Sequence, residues 1–256
     1  MDNPLSIHLP LLRELVGLAE DIVVTLRHRR SRDVPARLVL AFVTKAAQTG
    51  RGIVVLYERA LYHEAQALIR VIFEISISCE HFLRMLREDP KAACQRVIDS
   101  MMLEKIRQQR ASGFMGLGLL PDGPSQDDFE AADATIGLQY TVAELRAMRK
   151  HGFTGLSVEE RAKQAGRGDL YQIVYRNFSR NVHGLDFMEL LLADEPSLIG
   201  DERYRAYLES RDTIAAEVAF GCLGSVVEAV NVGLALGLDA RFARLVKKRQ
   251  RVREEA

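Results

Sequence analysis

The feature that most constrains the fold is the spacing of apolar residues, which recur every three or four positions along nearly the whole chain. No long stretch alternates apolar and polar residues in the way that a half-buried strand would. From Leu11 to Leu26, for example, the leucines and the isoleucine fall on one face of a helix. Because each such face must be buried against another element, the pattern predicts an all-α fold, a multi-helix bundle of about six to eight helices with an up-and-down core.

Glycine and proline divide this pattern into predicted helices. Gly50 and Gly52 end the second helix, whereas neither residue type interrupts the third segment, which is predicted as one very long helix. The predicted helices span Leu11 to about Arg30, Pro35 to about Gln48, Ile53 to about Arg87, Pro90 to about Arg110, Asp127 to Lys150, Val158 to Gln164, Leu170 to His183, and the apolar tract Thr213 to Leu238.

Two stretches break the helical pattern. Residues 111–126 contain four glycines and two prolines, which predicts an internal loop. Residues 184–209 are rich in charge and contain Pro196 and Gly200, which predicts a long connection before the last core helix. The sequence has no internal repeat, and 256 residues are enough to bury one large core. We therefore expect a single all-helical domain over residues 1–256.

Charge and cysteine content bear on partners and location. The 35 basic and 35 acidic residues balance, so net charge favours neither a nucleic acid nor a membrane, and such a partner would need a local patch. The three cysteines lie far apart and outside any CxxC pair, which indicates structural thiols in a reducing compartment. The apolar tract Thr213 to Leu238 contains Glu217, Glu228 and Asn231, which are expensive in lipid. A cytoplasmic protein without a membrane partner is expected.

The segment YRNFSRNVHG, Tyr175 to Gly184, gathers an unusual number of hydrogen-bonding side chains at the end of a predicted helix. It contains two arginines, two asparagines and a histidine: Arg176, Asn177, Arg180, Asn181 and His183. On a helix, the arginines and the histidine lie on nearly one face, and the asparagines share an adjacent one. Two fixed cations and a titratable imidazole in one row suit an anionic ligand, in particular a phosphate.

Arg176-Asn177 and His183, with six residues between Arg176 and His183, resemble the motif of the HEPN (higher eukaryotes and prokaryotes nucleotide-binding) superfamily. Many members of that superfamily are metal-independent ribonucleases of toxin–antitoxin and anti-phage systems. The resemblance implies that Arg176 steadies the scissile phosphate, that Asn177 orients it and that His183 serves as acid or base. Arg180 and Asn181 match no required position of the motif and are supporting candidates. The resemblance also implies a homodimer, RNA as substrate and an antitoxin or other protein partner.

A second resemblance covers more of the chain. The segments ALIRVIFE, Ala67 to Glu74, and YRNFSRNVHG are similar to an uncharacterised bacterial helical family whose members share an Arg–Glu helix and a Ser-x-x-x-His segment. The resemblance to this family does not indicate any particular activity. Arg70 and Glu74 are surrounded by apolar neighbours, so their partial burial is expected, and a buried pair beside Arg176 would be a candidate for the site.

Other polar groups are interpreted as structural. The remaining polar residues of the third segment, among them Gln66, His81 and Arg84, fit a solvated helix face. The basic clusters Arg27 to Arg32 and Lys247 to Arg253 fit solvated helix ends, although either could hold RNA backbone. No histidine has a glutamate three residues before it, and cysteines and histidines do not cluster, so neither a metal nor another cofactor is expected.

Two functional hypotheses remain open at this point. The first is a HEPN-like ribonuclease that uses Arg176, Asn177 and His183, helped by Arg70 and Glu74. The second is a non-catalytic helical interaction or regulatory protein, in which the same arginine, asparagine and histidine residues form a structural network.

Overall fold

The computed structural model of the chain describes residues 5–28, 33–113, 124–178 and 202–255. In these ranges the chain forms ten α-helices and no β-strand, which confirms the all-α class. The helices are α1 Leu5–His28, α2 Val34–Glu58, α3 Tyr62–Glu88, α4 Pro90–Ala111, α5 Gln126–Gly137, α6 Val142–His151, α7 Val158–Gln164, α8 Gly168–Tyr171, α9 Glu202–Leu234 and α10 Asp239–Glu255. A 3₁₀ turn, Gly152–Thr154, follows α6, and a π-helical turn, Gln172–Asn177, follows α8.

The main core lies between α1, α2, α3 and α9, which pack against one another. Each of these helices contributes completely buried apolar side chains: Leu15, Ile22, Val39, Val43, Ile69, Ile72, Phe73, Leu223, Val226 and Val230. At Gly50 of α2 a side chain would have no room, because a Cβ atom there would lie 3.0 Å from Val16 and 3.1 Å from Leu223. The core therefore depends on close approach of α2 to both α1 and α9.

A second, smaller cluster joins α4, α5 and α6 through Leu103, Ile136, Leu145 and Met148. The shorter helices α5, α6 and α7 each begin with a capping box. Ser125, Thr141 and Ser157 cap α5, α6 and α7, and in each case the acidic residue three positions later binds back to the cap. The short helices are thus defined by local side-chain hydrogen bonds as well as by burial.

The prediction of one long helix from Ile53 to Arg87 is wrong. The second helix continues through Gly50 and Gly52, and the chain turns over Arg59–Leu61, where Ala60 adopts a positive φ of 57°. The turn allows α2 and α3 to pack side by side, so that each buries its apolar face against the other. The two glycines provide close packing inside α2 instead of ending it.

Two other predicted helices have different bounds in the structure, and a third is described only in part. The segment Asp127 to Lys150 forms two helices, because α5 ends at Gly137 and Thr141 starts α6 with its own cap. The last core helix begins at Glu202, inside the predicted connection 184–209, because no glycine or proline follows Gly200 there to oppose it. For the predicted helix Leu170 to His183, the described residues reach Phe178 and form α8 and the π-helical turn.

Two core helices are long and apolar enough to cross a membrane, judged by length and composition alone: Val34–Glu58 and the part of α9 from Asp212 to Leu234. Burial in this fold accounts for much of their apolar character, since 44% and 61% of their most apolar windows are buried. Core helices of soluble proteins have the same composition.

Candidate functional site

Several polar side chains of α3 lie on a face that packs against α7 and the π-helical turn, and Arg167 at the start of α8 also reaches α3. Arg70, Glu74, Ser78 and His81 follow one another at intervals of three or four residues, so they form one row along the helix. The prediction of a solvated face does not hold fully for His81 and Arg84, because both are half-buried. The His81 ring packs against Phe153 with 6.3 Å between the ring centroids, and Arg84 donates to Gln164 of α7. Gln66 is also buried, with 1% of its surface exposed, and donates to Asp212 of α9 at 3.4 Å.

Tyr175 of the π-helical turn binds both members of the Arg70–Glu74 ion pair. The Arg70 guanidinium donates to the Tyr175 hydroxyl at 2.7 Å and to the Glu74 carboxylate at 3.3 Å. The Tyr175 hydroxyl in turn donates to Glu74 at 3.1 Å. The guanidinium carbon lies 4.0 Å from the centre of the tyrosine ring, which adds a cation–π contact. Burial, and after it the Glu74 charge, raises the pKa of Tyr175, so its hydroxyl remains a donor at neutral pH.

This contact attaches the turn that carries two of the predicted catalytic residues to α3. Arg176 and Asn177 follow Tyr175 directly and form the end of the π-helical turn. Their backbone is described, but their side chains are not. Arg180, Asn181 and His183 lie outside the described residues. A π-helical turn is rare in proteins and is frequently found at functional sites.

Arg161 of α7 reaches the same row of α3 from the other side. It donates to the hydroxyl of Ser78, while its Nε atom is buried and has no hydrogen-bond partner among the described residues. Burial lowers the pKa of Arg161, and the nearby Glu74 and Tyr175 oppose this effect. A guanidinium group that is partly buried without a bound carboxylate is costly, and it is suited to hold an anion.

Arg167, at the start of α8, connects three helices. It forms an ion pair with Glu80 of α3 and donates to the hydroxyls of Ser76 and Ser225 at 3.1 Å and 2.8 Å. Since Ser225 belongs to α9, this single side chain joins α8 to both α3 and α9. Arg167 is therefore a structural residue whose charge is compensated by Glu80.

His81 is held in its neutral form. Arg84 donates to its Nδ1 atom at 2.7 Å and to Gln164 of α7 at 2.7 Å. An arginine can only donate, so Nδ1 is the unprotonated ring nitrogen. Burial and the charges of Arg84, Arg161 and Arg96 lower the pKa of His81 from 6.5 to about 4. At neutral pH His81 thus accepts a hydrogen bond and carries no charge.

The sequence alone did not single out Tyr175, Arg161 or Arg167. Tyr175 is the first residue of the polar segment, and its position directly before Arg176 was the one sequence feature that could have marked it as part of the site. Arg161 and Arg167 belong to a weakly patterned region, and only the path of the chain brings them to α3. The basic cluster at the end of the chain forms part of α10, where Lys248 pairs with Glu14 and Arg249 pairs with Glu217.

Within the described ranges, no group of three or more histidine, cysteine, aspartate or glutamate side chains could hold a metal ion. The three cysteines are buried free thiols. Burial raises the pKa of Cys79 and of Cys222 to about 12, so both stay protonated and unreactive at neutral pH.

The sequence profile of DUF5677, described as a family of unknown function, matches residues 36–197, which is more than half of the chain. The chain belongs to the DUF5677 family. The match confirms the resemblance to an uncharacterised all-helical family. In the DUF5677 segment lie α3, α7 and α8 with the Arg70–Glu74–Tyr175 contact, whereas α9 and its Ser225 lie beyond it. Searches of curated proteins and of solved structures find no significant match.

Proposed function

We propose that this DUF5677 protein is a metal-independent, HEPN-like endoribonuclease that acts in the cytoplasm as a homodimer. The observation that carries the proposal is the contact of Tyr175 with Arg70 and Glu74. It attaches the beginning of the Arg176–His183 motif to a row of polar groups on α3. A toxin or an anti-phage effector, restrained by an antitoxin or another protein, is the biological role that fits such an activity.

The proposed chemistry is the transfer of an RNA phosphodiester to the neighbouring 2′-hydroxyl. His183 takes the proton of the 2′-hydroxyl, whose oxygen forms a new bond to the adjacent phosphorus. The bond from phosphorus to the 5′-oxygen breaks, and that oxygen takes a proton from water, while the His183 imidazolium returns its proton to the solvent. The products are a 2′,3′-cyclic phosphate and a 5′-hydroxyl end. Arg176 compensates the charge of the phosphate, and Asn177 orients it.

In this proposal Arg70 and Glu74 are positioning residues. Both act through Tyr175, which precedes Arg176 by one position, so they hold the backbone of the motif and do not touch the RNA. Their side chains are 21% and 35% exposed, which leaves the contact partly screened from water. Arg180 and Asn181 are candidates for further contacts to the RNA backbone.

A second candidate function is a non-catalytic interaction or regulatory protein. The observation that favours it is the set of contacts of Arg167, which is paired with Glu80 and joins α8, α3 and α9. A network of this kind fixes how helices pack without any chemistry. In this hypothesis the residues of the 176–183 segment extend the same structural network.

Cleavage of RNA by the full-length protein, in buffer with a metal chelator, tests the two functions. We expect wild-type protein to cleave RNA and to leave 2′,3′-cyclic phosphate ends, and we expect His183→Ala to abolish cleavage without lowering the melting temperature. His151→Ala, at the end of α6 and outside both basic clusters, is the matched control and should keep full activity. Absence of cleavage by wild-type protein, together with a lower melting temperature for His183→Ala, would instead support the structural network.

A further inference from the structure

A cavity of about 780 Å³ opens between α3, α7 and α9, beside the row of polar residues on α3. Its polar lining includes Arg84, Arg161 and Gln164. Its apolar lining comes from the C-terminal half of α3 and from α9: Leu83, Leu86, Ala229, Val232 and Leu234. Both the volume and the mixture of apolar walls with a few polar groups are typical of sites for small organic molecules.

The cations in this cavity are unevenly compensated. Arg167 is paired with Glu80, but Arg84 and Arg161 donate only to neutral groups among the described residues. The acceptors are the imidazole of His81, the amide of Gln164 and the hydroxyl of Ser78. The Glu74 carboxylate near Arg161 is already bound by Arg70 and Tyr175. Arg87 also lines the cavity but is exposed, so Arg84 and Arg161 are the two half-buried guanidinium groups there that bind no carboxylate among the described residues.

These two guanidinium groups lie close enough to act on one ligand. Both line the same cavity, and their acceptors are neighbours on α3, because Arg84 donates to His81 and Arg161 donates to Ser78, one turn earlier. Because His81 stays neutral, it neither competes for an anion nor repels one. The buried Nε of Arg161 has no acceptor among the described residues, so the fold itself compensates this guanidinium group incompletely. Glu228 also lines the cavity, but it is exposed, so water screens its charge.

We propose that this cavity binds a small organic phosphate monoester, with its phosphate on Arg84 and Arg161 and its organic part on the apolar side chains of α9. A phosphate offers several acceptor oxygens and up to two negative charges, which match two arginine forks. The cavity is far larger than a phosphate ion, so an organic part is needed to fill it. Tyr175 and Phe178 are not among the described residues that line the cavity, and the proposal does not depend on the proposed ribonuclease activity.

The test is calorimetric titration of the full-length protein with AMP, adenosine and inorganic phosphate at low salt. We expect AMP to bind more tightly than adenosine or inorganic phosphate, because only AMP carries both a phosphate and an organic part. Arg84→Gln, at a half-buried position near the cavity rim, should weaken AMP binding about tenfold or more, since it removes a charge-assisted hydrogen bond. Millimolar AMP failing to bind, or adenosine binding as tightly as AMP, would overturn the proposal.

A matched pair of surface variants tests the position of the site without disturbing the core. Val232, on the cavity rim in α9, is 70% exposed, and Val142, in α6 and outside the cavity lining, is 80% exposed. Val232→Glu introduces a negative charge at the cavity and should weaken AMP binding severalfold or more, whereas Val142→Glu should leave it unchanged. Equal AMP affinity in both variants would contradict the assignment. His183→Ala should bind AMP like wild type, so failure of the ribonuclease proposal and failure of this one are distinguishable.

Discussion

His81 should make the stability of the fold depend on pH in the acidic range. Its Nδ1 atom accepts a hydrogen bond from Arg84, and the charges of Arg161 from α7 and Arg96 from α4 also act on it. Protonation would remove the acceptor and place a fourth cation beside these three. For this reason, together with burial, the pKa of His81 in the folded protein is about 4 instead of 6.5.

The sign and size of the effect follow from proton linkage. Between pH 6.5 and about 4 the unfolded chain takes up a proton at His81 and the folded chain does not. The free energy of unfolding must therefore fall as the pH falls through this window, and the stabilisation is fully present above 6.5. At about 1.4 kcal/mol per pKa unit, the whole difference is worth roughly 3 kcal/mol. Partial exposure of the ring to water screens this to about 1–2 kcal/mol.

Urea denaturation at pH 7 and at pH 4.5 measures this contribution. His81→Asn is the informative variant, because its side-chain oxygen can accept from Arg84 in place of Nδ1 and it does not titrate. Wild-type protein should lose about 1–2 kcal/mol more than His81→Asn on acidification. His28→Asn, at an exposed position, should behave like wild type. If His81→Asn loses as much stability as wild type, His81 is not held neutral by its surroundings and the reasoning fails.

Two further predictions concern the core and the motif. Gly50→Val should lower the free energy of unfolding by about 1–3 kcal/mol through overpacking against Val16. Gly17→Ala, where a Cβ atom meets nothing within 4 Å, should raise the free energy of unfolding by up to about 1 kcal/mol. Urea denaturation of the two variants measures both effects. Tyr175→Phe removes the hydroxyl that joins Arg70 to Glu74, and we expect it to lower kcat of RNA cleavage about tenfold or more with little change in KM. An unchanged kcat would show that this contact does not position the motif.

Several elements were predictable because the signals for them are local. The helix Val158–Gln164 has the predicted bounds, since Ser157 and Glu160 form a capping box at its start and Gly166 follows its end. Pro90 starts α4 as predicted, because the Asp89 side chain accepts from the backbone of Ala92. The break at Arg59–Leu61 was not predictable in this way, since no glycine or proline marks it. The packing of α2 against α3 determines where the chain turns.

In the candidate site, too, some contacts have a local sequence signal and others depend on tertiary packing. The spacing of Arg70 and Glu74 by itself predicted an ion pair on one helix face, and that pair is present at 3.3 Å. Their third partner, Tyr175, lies 105 residues from Arg70 along the chain, so no local pattern connects them. The sequence also assigned His81 and Arg84 to a solvated face, and only the tertiary structure brings Phe153 against His81 and Gln164 of α7 to Arg84.

What the sequence determined by itself is therefore the helical period, the starts of helices such as α4, α5 and α7, and the residues that share a face, because these depend on interactions within a few positions of one chain segment. What the tertiary structure decided is which faces are covered. Arg161, Arg167 and His81 acquired their roles from helices far away in the sequence, where burial and neighbouring charge set the protonation of each group.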